Sequence, residues 1–216
     1  MNKGLKKEKI IIVDFGSQVT KLIARRIREY KVFSQILRPE DLKNKNIFKN
    51  AKGIILSGGP STVVNNKFPN VPREVFNLNI PILGICYGLQ IIAKHFKGKV
   101  KSNIKKREFG RAVLFKSNES ILTKGFFYKK KCNVWMSHQD SVYILPEGFT
   151  RIASTNNSEM TIIENKKKRI YGIQFHPEVT HTQNGNKIFK NFIFNICNAK
   201  KHWKLNYEKK KNYKRN

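Results

Sequence analysis

The sequence predicts an α/β protein with a mostly parallel central sheet flanked by helices and a smaller antiparallel extension. Three observations predict it. Short β-branched apolar runs alternate with helical patterns through the first half of the chain, as βαβ units require. Two of those runs end in glycine-rich turns, Ser57-Gly58-Gly59-Pro60 and Gly84-Ile85-Cys86-Tyr87-Gly88. From Lys99 to Phe175 the texture changes to short alternating segments, which read as antiparallel or mixed strands.

Taken in order, Ile10–Val13 is a continuous apolar run ending at a turn signal and predicts a buried strand. Residues 17–30 predict a helix, with Val19, Leu22, Ile23 and Ile27 on one face. Val32–Leu37, Gly53–Leu56 and Pro81–Ile85 predict three further strands. A helix follows the last of these, with Leu89, Ile92, Ala93 and Phe96 on its apolar face. Right-handed crossovers place such helices on both faces of the sheet. Ala112–Lys116, Phe149–Ala153, Met160–Glu164 and Arg169–Gln174 predict the extension. A closing helix is expected over residues 183–197, with Ile188, Phe189, Phe192 and Ile193 as its stripe.

The 216 residues allow one domain and an appendage. The expected division is a domain over residues 1–199 and a basic tail over 200–216, which lacks a sustained apolar face. Lys and Arg number 44 against 14 Asp and Glu, a formal net charge of +30. No zinc-finger, RNA-recognition or glycine-clamp motif gathers these cations, so the excess reads as solvated surface and nucleic acid is not the expected partner. The three cysteines, Cys86, Cys132 and Cys197, are widely separated and lack metal-ligand spacing. They fit a reducing compartment. The first apolar run stops at Asp14, too short for a signal sequence, and no stretch approaches a membrane span. A cytoplasmic protein without a metal is expected.

The sharpest local feature is Gly84-x-Cys86-x-Gly88 between a predicted strand and a predicted helix. Its spacing matches a nucleophile elbow. Cys86 would sit at a helix N-terminus, where peptide dipoles favour a thiolate, and the Tyr87 N–H would be free to face an oxyanion. The spacing alone fits a buried structural cysteine equally well. The second feature is His176-Pro177-Glu178, directly after a predicted strand. Its imidazole can accept a thiol proton, and the carboxylate two residues on can fix the tautomer. Gly58 and Gly59 form the third, a turn where main chain can approach a ligand; Gly59 N–H is a second candidate oxyanion donor. Asp14 reads as a cap for the first helix; residues 105–111 read either as a basic hairpin loop, on whose exposed surface Glu108 and Arg111 could pair, or as a segment that faces a partner.

The chain resembles class I glutamine amidotransferase domains, and among them the GMP synthetase branch. The segments that carry the likeness are IIIVDFGSQVTKLIARRIRE, GIILSGGPSTV, PILGICYGLQIIAKHFKGKV, KREFGRA, VWMSHQDSV, IYGIQFHPEVTHTQNGNKIFKNF and Trp203. The elbow and His-Pro-Glu belong to the whole class, whereas DFGSQ, CYG, WMSH and HPEVTHT point to the branch. The resemblance implies the three-layer fold of the class and hydrolysis of glutamine. It implies Cys86 as nucleophile, His176 as base and acid, and Glu178 as orienting carboxylate. Gly59 and Tyr87 would supply oxyanion donors, and Gly58, Gln90, Ser137, His138 and Gln139 would line the glutamine pocket. The ammonia would go to an ATP-pyrophosphatase partner of the GMP synthetase type, which aminates XMP and holds the ATP and Mg.

The chain departs from the family at Gln139, where glycine is usual, implying strain if the position needs positive φ. Gln183 stands where arginine is usual, and Lys200, Lys201 and His202 replace an acidic turn. Nothing resembles the SGGVDS loop of the ATP-binding half, so this chain alone is not expected to make GMP. The front half of a split gene and a dedicated subunit both fit. Two other functions remain at this level: an amidotransferase of another branch, such as anthranilate synthesis, and a non-catalytic basic binding module.

Overall fold

A computed structural model describes residues 8–64, 67–102 and 104–203. Eleven strands and three α-helices follow one another as β1 (Lys9–Val13), α1 (Thr20–Glu29), β2 (Phe33–Leu37), β3 (Ala51–Leu56), β4 (Ile82–Ile85), α2 (Tyr87–His95), β5 (Lys99–Ser102), β6 (Glu108–Lys116), β7 (Lys131–His138), β8 (Asp140–Ile144), β9 (Thr150–Ser154), β10 (Ile162–Asn165), β11 (Ile170–Ile173) and α3 (Gly185–Lys190).

Nine strands form one sheet in the order β2-β1-β3-β4-β11-β10-β9-β6-β7. The first five are mutually parallel and the rest run antiparallel to their neighbours. β5 and β8 make a separate antiparallel ribbon. The α/β class and the antiparallel extension therefore stand as the sequence predicts. β5, β7 and β8 are additions to the predicted set.

The period-2 alternation of a strand explains the layers. Ile10 and Ile12 of β1 join Ile23 and Ile27 of α1 and Ile188 and Phe189 of α3 in one core. Ile11 and Val13 face the other way and join Leu89 and Ile92 of α2 in a second. Helices thus cover both faces. Burying a Val, Leu, Ile or Phe side chain is worth about 1.5–3 kcal/mol each, and most members of both clusters are wholly buried.

Helix boundaries differ from expectation for local reasons. α1 starts at Thr20 because Ser17 forms a turn, accepting the Val19 N–H on its hydroxyl and the Thr20 N–H on its carbonyl. Asp14 serves that turn rather than the helix end, accepting from Gly16 N–H at 3.0 Å and Thr20 Oγ1 at 2.7 Å. The closing helix begins at Gly185, since Gln183 donates its N–H to Asn133 O and Asn184 adopts a left-handed conformation. It continues as a π-helix over Asn191–Ile196, where Asn191 Nδ2 donates to Leu122 O and Lys124 O. Of the basic tail, Lys200 to Trp203 are described: Trp203 is buried, donates its N–H to Lys31 O and lies beneath Arg28. Residues 204–216 lie outside the described residues.

Candidate active site

The elbow forms at the C-terminal edge of β4. Cys86 still pairs as a strand residue, its N–H donating to Ile173 O at 2.8 Å. It then turns to φ +52°, ψ −105°, a conformation that costs a non-glycine residue about 1–3 kcal/mol. The next residue starts α2, so the sulfur stands at a helix N-terminus. The glycines permit the turn sterically: a Cβ on Gly84 would lie 2.5 Å from the Gly88 carbonyl, and one on Gly88 would lie 2.2 Å from Leu56 O.

The His-Pro-Glu segment follows β11, the parallel neighbour of β4. His176 is pinned through its backbone: its N–H donates to Trp135 O at 3.0 Å, and its carbonyl accepts from Thr182 Oγ1 at 2.6 Å. Its Nδ1 lies 2.8 Å from Glu178 Oε1. Glu178 is fully buried, and Arg26 Nε on α1 holds its main-chain carbonyl at 3.1 Å. Burial alone would lower the His176 pKa, but the side chains of Cys86 and Glu178 outweigh it and push it up to about 10. The imidazole is thus held protonated, with Nδ1 on the carboxylate and Cys86 as its other partner. Cys86 Sγ also lies 3.7 Å from Ser137 O. The other two thiols lie away from the cleft. Burial pushes Cys132 up to about 11 and Cys197 higher still, so both stay protonated at neutral pH.

Cys86 opens on a cleft of about 530 Å³. Gly59, Tyr87, Gln90, Ser137, His138 and Gln139 line it. Gly58 sits behind the sulfur, where a Cβ would come within 3.3 Å of His176 Cε1 and 3.7 Å of Cys86 Cβ. Every residue the sequence singles out for the site therefore falls in one place. Three side-chain assignments become more specific. Gln90 Nε2 donates to Asp140 O at 3.0 Å and so braces the wall. His138 is buried, with Nδ1 3.1 Å from Asp140 O and Nε2 3.1 Å from Glu108 Oε2. Gln139 is exposed and is absent from the positive-φ positions, so the strain inferred from its replacing glycine does not arise.

Glu108 is a correction. It is not an exposed partner of Arg111; it is buried, bonded to His138 and to Thr155 Oγ1 at 2.8 Å. Strand pairing explains this, since Glu108 lies directly opposite His138 across β6 and β7. Sequence reasoning also missed Thr62, Asp140 and Phe109 in the cleft wall, and Gln174, which is wholly buried with its Nε2 3.6 Å from Cys86 Sγ. Asp140 follows directly on Ser-His-Gln, and Thr62 meets it side chain to side chain. Among the described residues no group of three or more His, Cys, Asp or Glu side chains could hold a metal ion, and no helix is long and apolar enough to cross a membrane.

The family described as glutamine amidotransferase class-I matches residues 11–196. The chain belongs to the class I glutamine amidotransferase family. Within it, the chain is 52% identical over 200 residues to a GMP synthase (glutamine-hydrolyzing) of Brachyspira hyodysenteriae, covering 92% of this chain and 38% of the relative. It is 49% identical over 197 residues to that of Thermosipho melanesiensis, covering 91% and 37%. The chain thus spans little more than a third of the curated relatives it matches. A crystal structure described as that of a putative GMP synthase subunit from Thermoplasma acidophilum superposes with a TM-score of 0.75 at 30% identity, covering 95% of this chain and 98% of that one.

Proposed function

We propose that this chain hydrolyses glutamine to glutamate and ammonia and passes the ammonia to a GMP synthetase partner. The observation that carries the reading is a cysteine on a strained elbow at the cleft, with a buried His176–Glu178 pair against its side chain. Residues 1–199 form the amidotransferase domain, 200–216 a basic tail, and the cytoplasm is its compartment.

The geometry supports the following chemistry. Cys86 as thiolate attacks the side-chain carbonyl carbon of glutamine. The developing oxyanion takes N–H bonds from Gly59 and Tyr87, whose backbone N–H groups donate to no other described group. Protonated His176 gives its proton to the amide nitrogen, the C–N bond breaks, and ammonia leaves a γ-glutamyl thioester on Cys86. The neutral imidazole then takes a proton from water, whose oxygen attacks the thioester. The C–S bond breaks, and the thiolate and the imidazolium are restored. Glu178 keeps the Nδ1 proton on the ring and steadies its charge. Gly58, Gln90, Ser137, His138 and Gln139 shape the glutamine pocket. The ammonia aminates XMP that the partner has activated, and ATP and Mg are held there.

The test is a reconstitution with an ATP-pyrophosphatase partner of the GMP synthetase type, supplied with XMP, ATP and Mg. The wild-type chain is expected to release glutamate and support GMP formation from glutamine, and Cys86→Ser is expected to do neither. No glutamate release, with a partner that does make GMP from ammonium, would overturn the proposal.

A further inference from the structure

The register of two neighbouring strands brings a second side chain to the nucleophile. Ile85 of β4 lies opposite Ile173 of β11, so the next residues, Cys86 and Gln174, stand side by side. The alternation of the strand continues past its end. Gln174 and His176 both turn toward the sulfur, while Phe175 between them points away from it and stacks on Phe126 in the first core.

Gln174 is 0% exposed. Its backbone N–H donates to Thr161 O at 2.9 Å, but its side chain has a single partner: Nε2 lies 3.6 Å from Cys86 Sγ. Oε1 is buried and meets no donor. A primary amide can make four hydrogen bonds, and one buried with so few is a net cost to the fold. A leucine or methionine would fill the same space without that cost. The sulfur also decides which way the amide faces, because a thiolate attracts N–H and repels a carbonyl oxygen.

We propose that Gln174 is a further catalytic residue, whose side-chain N–H donates to the Cys86 thiolate, stabilises the reactive form of the nucleophile and fixes it beside His176. The inference rests on the reading of Cys86 as nucleophile. The bond acts on the resting thiolate and weakens once the sulfur carries an acyl group. Its loss should therefore raise the pH at which the thiolate forms, and leave the rate at high pH nearly unchanged.

The test measures iodoacetamide alkylation of Cys86, by peptide mass, from pH 5 to 10 in the full wild-type chain and in Gln174→Met. A hydrogen bond to a charged group, taken at the low end of its range, corresponds to about tenfold. The variant is expected to alkylate about tenfold more slowly at pH 7, with its profile displaced by about one pH unit and a high-pH plateau within about twofold of wild type. A role in packing alone would not displace the profile, so superposed profiles overturn the proposal. Labelling of wild-type Cys86 by a diazo-ketone glutamine analogue reports separately on the underlying reading. If Gln174→Met does not fold, the wild-type chain with ¹⁵N-glutamine still decides. The Gln174 side-chain amide signal should titrate with the same midpoint as alkylation and move when Cys86 is blocked; an unmoved signal overturns the proposal.

Discussion

Replacing Glu178 by glutamine keeps the shape of the site and removes one charge. Glu178 is fully buried and its Oε1 is 2.8 Å from His176 Nδ1. A hydrogen bond to a charged group contributes about 1.5–3 kcal/mol, so Glu178→Gln should lower the glutaminase kcat by roughly 10- to 150-fold. The same contact has a signature in stability. Cys86 and His176 exchange a proton within one pair, so the effect is read cleanly in a Cys86→Ala background. There the Glu178 contribution still raises the His176 pKa, against the burial that lowers it. A raised folded-state value means the folded protein binds more protons than the unfolded one as pH climbs past 6.5. Stability from the pair is complete below pH 6.5 and is lost as pH rises through the folded value, below about 10. The slope for one proton is at most about 1.4 kcal/mol per pH unit. Urea denaturation of Cys86→Ala between pH 6 and 10 should show this decline, and Cys86→Ala/Glu178→Gln should lack it. Equal slopes in the two proteins would refute the assignment of Glu178 as the partner that holds His176 charged.

Three other outcomes are expected. At pH 8 iodoacetamide should modify Cys86 in the native protein and spare Cys132 and Cys197, whose burial pushes both thiols up; all three should react in urea, as peptide masses will show. Gly88→Ala places a Cβ 2.2 Å from Leu56 O, so it should cost about 1–3 kcal/mol of stability by denaturant titration and reduce glutaminase activity by displacing the elbow. Glu108→Gln alters a buried hydrogen-bond network in which Glu108 meets His138 and Thr155. It should destabilise the fold by about 1–3 kcal/mol and raise the glutamine KM, because His138 lines the cleft.

The parallel half of the fold was legible because its strands are buried on both faces and read as unbroken apolar runs, as Ile10–Val13 shows. The strands that escaped notice are half-exposed. β7 alternates between buried and exposed positions, but its buried set includes His138 and its outer set includes Trp135, which hides the pattern from hydropathy. Glu108 was misread because its neighbours Lys105 to Arg107 form a basic run, whereas its partner His138 is thirty positions away in sequence. The proposed triad was legible because its residues occupy short motifs with fixed spacing. Gln174 was not, although it stands two residues before His176, because its meaning depends on the register of β4 against β11, which no local pattern records.

The most direct test of the central claim is the intact mass of the chain after incubation with a diazo-ketone analogue of glutamine, in the presence of a synthetase of the proposed type. The account predicts a single stoichiometric adduct mapping to Cys86, absent from Cys86→Ser and strongly slowed in His176→Ala. An unmodified chain, or an adduct on Cys132 or Cys197 instead, would contradict it.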